Sequence, residues 1–355
     1  MKTTPTSTDE PRPLFYDLGP AELKALTDRL GWPAYRAAQL HEWQLKGVTD
    51  FADMLNLAKP MRALLAERLL AAPLTPLQLE TSAADGTKKV LYQLSDGHTI
   101  ETVVMFYGEH ASVCVSSQVG CAMGCRFCAS TGLGLARNLS VGEMLGQVYL
   151  MQREIGRKVT HVTVMGIGEP LQNLAALIPF IRRLGDPKGL HISMRRITVS
   201  TCGLPDMMLE LANAGMPVNL AISLHAPNQA LREQLMPVAR HTDIEALLDV
   251  CRRLTEQTGR RITFEYALFK GVNDRPEHAA ELADRLHGML CHVNLIPANR
   301  VEGTPYDKSP PDRVARFQAV LEKRGIVVSV RRELGSDITA ACGQLRRKRE
   351  AWTTP

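Results

Sequence analysis

Three cysteines within eight residues are the clearest chemical signal in this 355-residue sequence. They stand in Gly120-Cys121-Ala122-Met123-Gly124-Cys125-Arg126-Phe127-Cys128, with the spacing Cys-x3-Cys-x2-Cys. A four-iron cluster is usually held by four thiolates, so three local ligands would leave one iron free for another molecule. Structural zinc takes four ligands, usually as two pairs, and no second pair lies nearby. The spacing therefore favours a [4Fe-4S] cluster on these cysteines, with zinc or a four-cysteine cluster as alternatives. Phe127 would shield the cluster or pack in the core.

The segments that must position these cysteines alternate between strands and helices. Six strand-then-helix units follow one another after about residue 110, and short loops between such units indicate parallel strands with right-handed crossovers. A closed barrel of eight units needs about 250 residues, more than this region provides. We therefore predict an open, partial (βα)6 barrel of the TIM type, with its site at the carboxyl ends of the strands. The predicted strands lie near 112–117, 161–165, 196–200, 218–224, 262–269, 292–296 and 326–330.

Five segments make up the predicted domain organisation. Residues 1–15 are polar and predict a disordered tail. Residues 16–85 carry leucines at helical spacing and predict a small helical module for RNA binding or an accessory role. Residues 86–108 predict a β-hairpin, because Asp96-Gly97 separates two β-rich runs. The barrel covers 109–332, and 333–355 form a polar C-terminal segment.

Composition narrows the setting in which the protein works. Hydrophobic residues make up 45% of the chain and charged residues 22%, as expected of a globular protein. No apolar run is long enough for a membrane span, and the N-terminus lacks a secretory signal. Eight cysteines without a signal favour a reducing cytoplasm. The net charge of +5, with arginines in pairs, is compatible with a nucleic-acid partner.

Several longer motifs are more specific than the cysteine spacing. Taken together and in order, they resemble the RlmN/Cfr family of radical S-adenosylmethionine (SAM) adenosine methyltransferases, from about residue 14 to 345. The motifs are Cys-Val-Ser-Ser-Gln-Val-Gly-Cys (114–121), Gly-Glu-Pro-Leu (168–171), Ser-Thr-Cys-Gly (200–203), Ser-Leu-His-Ala (223–226), Asn-Leu-Ile-Pro (294–297) and Ala-Cys-Gly-Gln-Leu (341–345).

The resemblance implies a role for each matching residue. The open iron of the cluster would chelate SAM, and two SAM molecules would be used per turnover. Cys342 would carry the methyl group as S-methylcysteine, Glu101 would accept a proton from the adenine, and Cys114 would release the product through a transient disulfide with Cys342. The other cysteines, 202, 251 and 291, are interpreted as small buried residues. The implied SAM contacts are Gly168, Glu169, Ser200, Ser223, Leu224, His225 and Asn299.

The resemblance also implies the reaction. We expect methylation at C2 of an adenosine in 23S rRNA at the peptidyl-transferase centre, and of the tRNA adenosine beside the anticodon. A reducing electron donor such as flavodoxin or ferredoxin would be needed. Methylation at C8 of the same rRNA adenosine, an antibiotic-resistance activity, is the close alternative. A non-enzymatic iron–sulfur protein that binds RNA or senses redox state is the alternative from another class.

Overall fold

A helical module opens the part of the chain that the computed structural model describes, residues 12–132, 134–298, 304–335 and 337–338. It consists of α1 (Pro20–Arg29), α2 (Tyr35–Leu45) and α3 (Lys59–Arg68), with short 3-10 helices at Phe15–Asp17 and Phe51–Asp53. Leu23, Leu40 and Leu65, one from each α-helix, are fully buried. The apolar residues at helical spacing therefore form the core that the sequence predicts.

A three-stranded antiparallel extension follows the module. It contains β1 (Thr75–Thr81), β2 (Lys88–Gln93) and β3 (Thr99–Tyr107). The β2–β3 pair is the predicted hairpin, and Gly97 takes the positive φ of +86° that its tight turn requires. The strand β1 lies inside the segment that the sequence predicts as helical. It is an edge strand with Pro76 near its start and few buried side chains, so its pattern is weak.

The three predicted cluster cysteines lie on the segment that begins at residue 121, between two short strands beside the main sheet. We call this segment the cysteine loop. The chain leaves β4 (His110–Cys114), forms β5 (Gln118–Gly120), passes through the cysteines and returns as β6 (Leu135–Asn138), which is antiparallel to β5. A Cβ on Gly120 would meet the carbonyl oxygen of Gly134 at 1.9 Å, so this crossing requires glycine. This two-stranded ribbon is not predicted from the sequence, because three- and four-residue strands carry little periodicity.

Parallel strands joined by helices make up the rest of the sheet, as predicted. The remaining strands are β7 (His161–Val164), β8 (Ile197–Thr201), β9 (Asn219–Ser223), β10 (Ile262–Leu268), β11 (Cys291–Pro297) and β12 (Val328–Val330). In the described ranges the ten strands of the sheet follow one linear order, β1-β2-β3-β4-β7-β8-β9-β10-β11-β12, and pairing is parallel from β4 onward. The helices are α4 (Val141–Ile155), α5 (Leu174–Leu184), α6 (Pro205–Asn213), α7 (Gln229–Leu235), α8 (Ile244–Thr258), α9 (Pro276–Leu286) and α10 (Pro311–Lys323).

Local signals in the sequence explain where the helices begin and end. A capping box opens α4, since Ser140 and Glu143 exchange hydrogen bonds with each other's backbone N–H. Pro205 opens α6, and Gly156 ends α4 in the left-handed conformation. The helical stretch after β9 is divided into α7, a 3-10 helix at Pro237–His241, and α8. No helix in the described ranges is long and apolar enough to cross a bilayer.

Candidate active site

Backbone hydrogen bonds fix the shape of the cysteine loop. The N–H of Cys121 donates to the Gly134 carbonyl at 2.9 Å, and the N–H of Cys128 donates to the Cys125 carbonyl at 3.1 Å. The Thr131 hydroxyl donates to the carbonyls of Cys125 and Cys128, at 3.1 and 3.0 Å. These bonds hold the backbone of the loop without using the thiols of Cys125 and Cys128.

The three thiols lie close enough to affect one another's ionisation. Burial raises the pKa of Cys121 to about 11, with the charge of Cys128 as a further cause. Burial likewise raises the pKa of Cys125, and the charges of Cys128 and Cys121 add to it. Such a group of thiols needs a positive partner to become thiolates, and a coordinated metal supplies one.

The three thiols can serve as ligands of an iron–sulfur cluster. Among the residues described, no three Cys, His, Asp or Glu side chains converge on a point that one metal ion could fill. In a [4Fe-4S] cluster each thiolate binds a different iron, so the ligands need not converge. Three mutually interacting thiols on a rigid loop satisfy this requirement.

Aromatic and apolar side chains pack against the cysteine loop. The ring of Phe127 meets the rings of His225 and Phe269 at centroid distances of 4.9 and 5.1 Å, and Phe269 in turn meets Tyr306 at 5.0 Å. Met123 and Cys121 belong to the same apolar cluster. Phe127 therefore packs among these side chains, which is one of the two roles expected for it; shielding of a cluster stays a prediction.

Glu169, one of the residues predicted to contact SAM, lies beside the cysteines and is almost fully buried. Its two carboxylate oxygens accept hydrogen bonds from the N–H groups of Cys202 and Leu171, at 2.8 and 3.0 Å. Burial raises its pKa, and these hydrogen bonds partly offset that rise. Gly168 precedes it with φ of +111°, and a Cβ there would lie 2.6 Å from Cβ of Gln118.

Ser200 and Ser223 lie on the neighbouring strands β8 and β9, with hydroxyl oxygens 3.5 Å apart. The strand register continues this polar row, because Ser223 is opposite Glu265, and Glu265 is opposite Asn294. The Glu265 carboxylate accepts a hydrogen bond of 2.8 Å from the Asn294 amide. A polar row across parallel strands is unusual in a core, and it marks a surface suited to a polar ligand.

Leu224 and His225 follow Ser223 directly, at the carboxyl end of β9. Leu224 is fully buried, and both it and His225 donate their N–H to the Glu265 carbonyl. His225 has a φ of +56°, rare for a residue with a Cβ. Its Nδ1 accepts a hydrogen bond from the Ala267 N–H at 2.9 Å, and burial, aided by Arg232, lowers its pKa to about 3. The imidazole is therefore neutral, with Nε2 as its N–H donor.

Glu101 and Cys114 line one cavity of about 770 Å³. They are neighbours because Cys114 on β4 is opposite Val103 on β3, two residues from Glu101. The Glu101 carboxylate lies 2.7 Å from the ammonium of Lys89, and both side chains are buried. Burial raises the pKa of the Cys114 thiol, while Thr163 and Arg331 act to lower it. The cavity adjoins the apolar cluster of the cysteine loop through Ala298.

Two predicted site residues, Asn299 and Cys342, lie outside the described residues. The segment leading toward Cys342 is described as far as Ile338, which lines the same cavity. It is held by the turn before β2, where Asp337 accepts hydrogen bonds from the Ser82 hydroxyl and the Ala83 N–H, and Asp85 accepts one from the Gly335 N–H.

Sequence reasoning missed three buried residues at this site. Glu265 and Arg232 are charged residues, which a sequence predicts to be exposed. Cys202 was interpreted as a bland buried residue, yet its sulfur lies 3.3 Å from that of Met123 and its pKa is raised by burial and then by Glu169 and Cys125. Only its place in the Ser-Thr-Cys-Gly motif hinted at the site.

The fold and the cysteine loop define a radical SAM protein, and comparison with known proteins agrees. Residues 115–283 match the model of the radical SAM superfamily, and residues 15–70 match the ribosomal RNA large subunit methyltransferase N-terminal domain. A crystal structure of a radical SAM methyltransferase from Sphaerobacter thermophilus superposes with a TM-score of 0.89, at 47% identity, covering 94% of this chain and 99% of that one.

Curated relatives give the family. Proteins named "Probable dual-specificity RNA methyltransferase RlmN" from Alkaliphilus oremlandii and Desulforamulus reducens are 50% and 49% identical to this chain. The alignments cover 92% and 94% of this chain, and 95% and 96% of the relatives. The chain belongs to the RlmN family of radical SAM methyltransferases. It is therefore a SAM-dependent enzyme, which confirms the resemblance and removes the non-enzymatic alternative. Membership implies a [4Fe-4S] cluster and SAM as its cofactors.

Proposed function

We propose that this enzyme methylates C2 of an adenosine in 23S rRNA at the peptidyl-transferase centre and in tRNA beside the anticodon. The relatives carry the name of dual-specificity RNA methyltransferases. The observation that carries the mechanism is the shared cavity, in which a carboxylate, Glu101, and a thiol, Cys114, face one space beside the cysteine loop.

In this proposal Cys121, Cys125 and Cys128 hold the cluster. Gly168, Glu169, Ser200, Ser223, Leu224, His225 and Asn299 surround SAM. When bound, the cluster and two SAM molecules would supply the methyl group, the removal of one hydrogen atom from it, and the acceptor for the single electron that the RNA adduct gives up. The protein's residues orient the reactants and move the protons.

The covalent steps belong to Cys342 and its partners. The Cys342 thiolate takes the methyl group, and the resulting methylene carbon later bonds to C2 of the adenine. Glu101 removes the C2 proton, which restores the aromatic ring. The Cys114 thiolate then bonds to the Cys342 sulfur. The sulfur–carbon bond breaks, and its electron pair, with a proton, completes the new methyl group while a disulfide remains for an external dithiol to reduce.

Chain connectivity supports the pairing of these two cysteines. Ile338 lines the cavity with Cys114. It precedes Cys342 by four residues, and four residues span at most about 14 Å. A disulfide needs Cα atoms within about 7 Å, a separation that this reach allows.

RNA would be held by the N-terminal module and the exposed arginines, whose charge favours phosphate contacts. The target base would leave its stack to enter the cavity. We further propose a flavodoxin- or ferredoxin-type electron donor, no membrane partner, and a cytoplasmic site of action where RNA and reductant are both available.

The test compares anaerobically reconstituted wild type with C342A, C114A and the control C291A, whose thiol lies at the start of β11 without proposed chemistry. Nucleosides from treated rRNA and tRNA are separated by mass spectrometry. We expect 2-methyladenosine from wild type and C291A, none from C342A, and a covalent protein–RNA adduct on denaturing gels from C114A. Full activity in C342A would refute the carrier mechanism, and 8-methyladenosine without 2-methyladenosine would refute the choice of C2.

A further inference from the structure

Arg232 is the largest fully buried side chain in the described part of the protein. It projects from α7, a short helix beside the cysteine loop. One of its terminal nitrogens, Nη2, donates to the carbonyl oxygen of Cys202. Its other two nitrogens, Nε and Nη1, are buried without a hydrogen-bond partner in the described ranges. A guanidinium satisfied at one of three nitrogens is rare in a protein core.

The charge of Arg232 also lacks an ordinary counterion. Within the portion of the chain that the structure describes, no Asp or Glu forms an ion pair with it. Burying an uncompensated charge costs several kcal/mol, so such a residue is normally paired. The groups that act on its charge are the thiols of Cys202, Cys125 and Cys251. An anion held near Cys125 is the compensation that this site lacks.

The position of Arg232 relative to the loop is fixed by the backbone. The N–H of Arg126, between two of the cysteines, donates to the carbonyl of Leu235 at 2.9 Å. Leu235 is three residues after Arg232, in the last turn of the same helix. The Met236 N–H closes that turn on the Arg232 carbonyl. The helix is therefore joined to the cysteine loop through the backbone, and the hydrogen bond to the Cys202 carbonyl anchors the guanidinium itself.

We propose that Arg232 is the positioning residue that balances the negative charge of the iron–sulfur cluster and thereby favours its reduction. The inference rests on the cluster site proposed above. Three thiolates around a core with two positive charges leave a net charge of minus one. One electron from an external one-electron reductant makes it minus two, with no proton taken up. A fixed buried cation stabilises the more negative state more strongly, because the attraction grows with the charge.

The experiment measures the reduction equilibrium of the cluster without SAM. Wild type, R232M and R232K are reconstituted anaerobically, their iron and sulfide contents are measured, and each is titrated with dithionite and mediators while the reduced cluster is followed by electron paramagnetic resonance. R183M is the control, since Arg183 is partly buried and donates to the N-terminal module, away from the loop. Methionine keeps the length and apolar stem of the side chain without its charge.

At the potential where the wild-type cluster is half reduced, we expect R232M to show at least a tenfold lower ratio of reduced to oxidised cluster. That corresponds to a midpoint shift of about 59 mV to more negative potential for a one-electron couple. R232K should stay within about twofold of wild type, because the anionic cluster beside it favours the charged form of the buried ammonium. R183M should also stay within about twofold. Should R232M lose the cluster altogether while R232K retains it, that difference also supports a charge role.

Three results would overturn the inference. R232M with the wild-type ratio would mean that the charge does not act on the cluster. R232K shifted as far as R232M, or failing with it to hold iron, would mean that Arg232 acts by shape alone. A wild-type protein that binds no four-iron cluster would refute the cluster site itself, and that outcome is recognised from the iron and sulfide assay before any titration.

Discussion

The buried pair of Lys89 and Glu101 allows a quantitative test of how the cavity is built. The ammonium and carboxylate are 2.7 Å apart, with 0% and 3% of the side chains exposed. In the β2–β3 register Leu91 is opposite Glu101 and Lys89 is opposite Val103, so the pair is diagonal on one face of the hairpin. That face includes Glu101 and Val103 in the cavity lining.

Replacing Lys89 by Met should destabilise the protein by about 3 kcal/mol. Removing one partner of a buried ion pair costs about 3 to 5 kcal/mol, because the remaining buried charge loses its counterion. We expect the lower end of this range because Glu101 also faces the cavity, where water can reach it. E101L should cost a similar amount by leaving Lys89 buried. The double variant K89M/E101L should lie within about 1 kcal/mol of wild type, since two apolar side chains replace the pair.

Wild type, K89M, E101L and K89M/E101L form a double-mutant cycle. Urea unfolding of the metal-free protein measures the stability of all four. Fluorescence and circular dichroism must give coincident transitions before free energies are compared, and midpoint shifts at constant slope then give the stability changes. K88M is the matched control, because the neighbouring Lys88–Glu154 pair is solvent-exposed in part and should contribute below about 1 kcal/mol. If the two single losses simply add in the double variant, the pair is not coupled and the reasoning fails.

Two further predictions concern the loops after β7 and β9. His225 has a native pKa of about 3 against 6.5 when unfolded, so the unfolded state binds the extra proton and stability falls as pH drops below 6.5, by about 2 kcal/mol at pH 5. H225N, which tolerates the positive φ and keeps an acceptor for the Ala267 N–H, should flatten that loss in urea unfolding at pH 7 and 5; an unchanged slope would contradict the assignment. G168A should cost about 2 to 4 kcal/mol from overpacking and strain and weaken SAM binding in calorimetry by moving Glu169. G271A, with open space around its Cβ position, should cost only about 1 kcal/mol, and equal losses in the two variants would refute the steric argument.

Periodicity and turn chemistry in the sequence were sufficient to predict the parallel part of the fold. The six units are present, and the hairpin turns at Asp96-Gly97 as predicted. Each strand of this region is a short apolar run followed by Gly, Pro or polar residues, and those features act locally. The edge strand β1 and the ribbon of β5 and β6 could not be predicted, because their pairing is set by tertiary contacts and not by their own composition.

The site was predictable only where a motif carries the chemistry. The spacing of the cysteines predicts a metal loop without any further information, and the family motifs add the residues around SAM. Arg232 and Glu265 were not predicted as site residues, because the burial of a charged side chain depends on partners from distant segments. For Arg232 these are Cys202 on the preceding unit and the thiols of the loop, more than 100 residues earlier in the case of Cys125.

The antiparallel extension is what gives this partial barrel its catalytic candidates. A parallel sheet that begins at β4 would leave Cys114 on an open edge, but β3 pairs with that edge and places Val103 opposite Cys114. Side chains on β3 alternate between faces, so Glu101, Val103 and Met105 all face the cavity. A slip of β3 by one residue against its two neighbours, β2 and β4, would turn Glu101 away from the cavity and bring Thr102 in its place. The buried Lys89–Glu101 pair opposes such a slip, because the slip would move the Glu101 carboxylate away from the Lys89 ammonium. The same contact that lowers the tolerance of the hairpin to mutation therefore helps to hold the proposed base on the cavity face, which the proposed resolving thiol also lines.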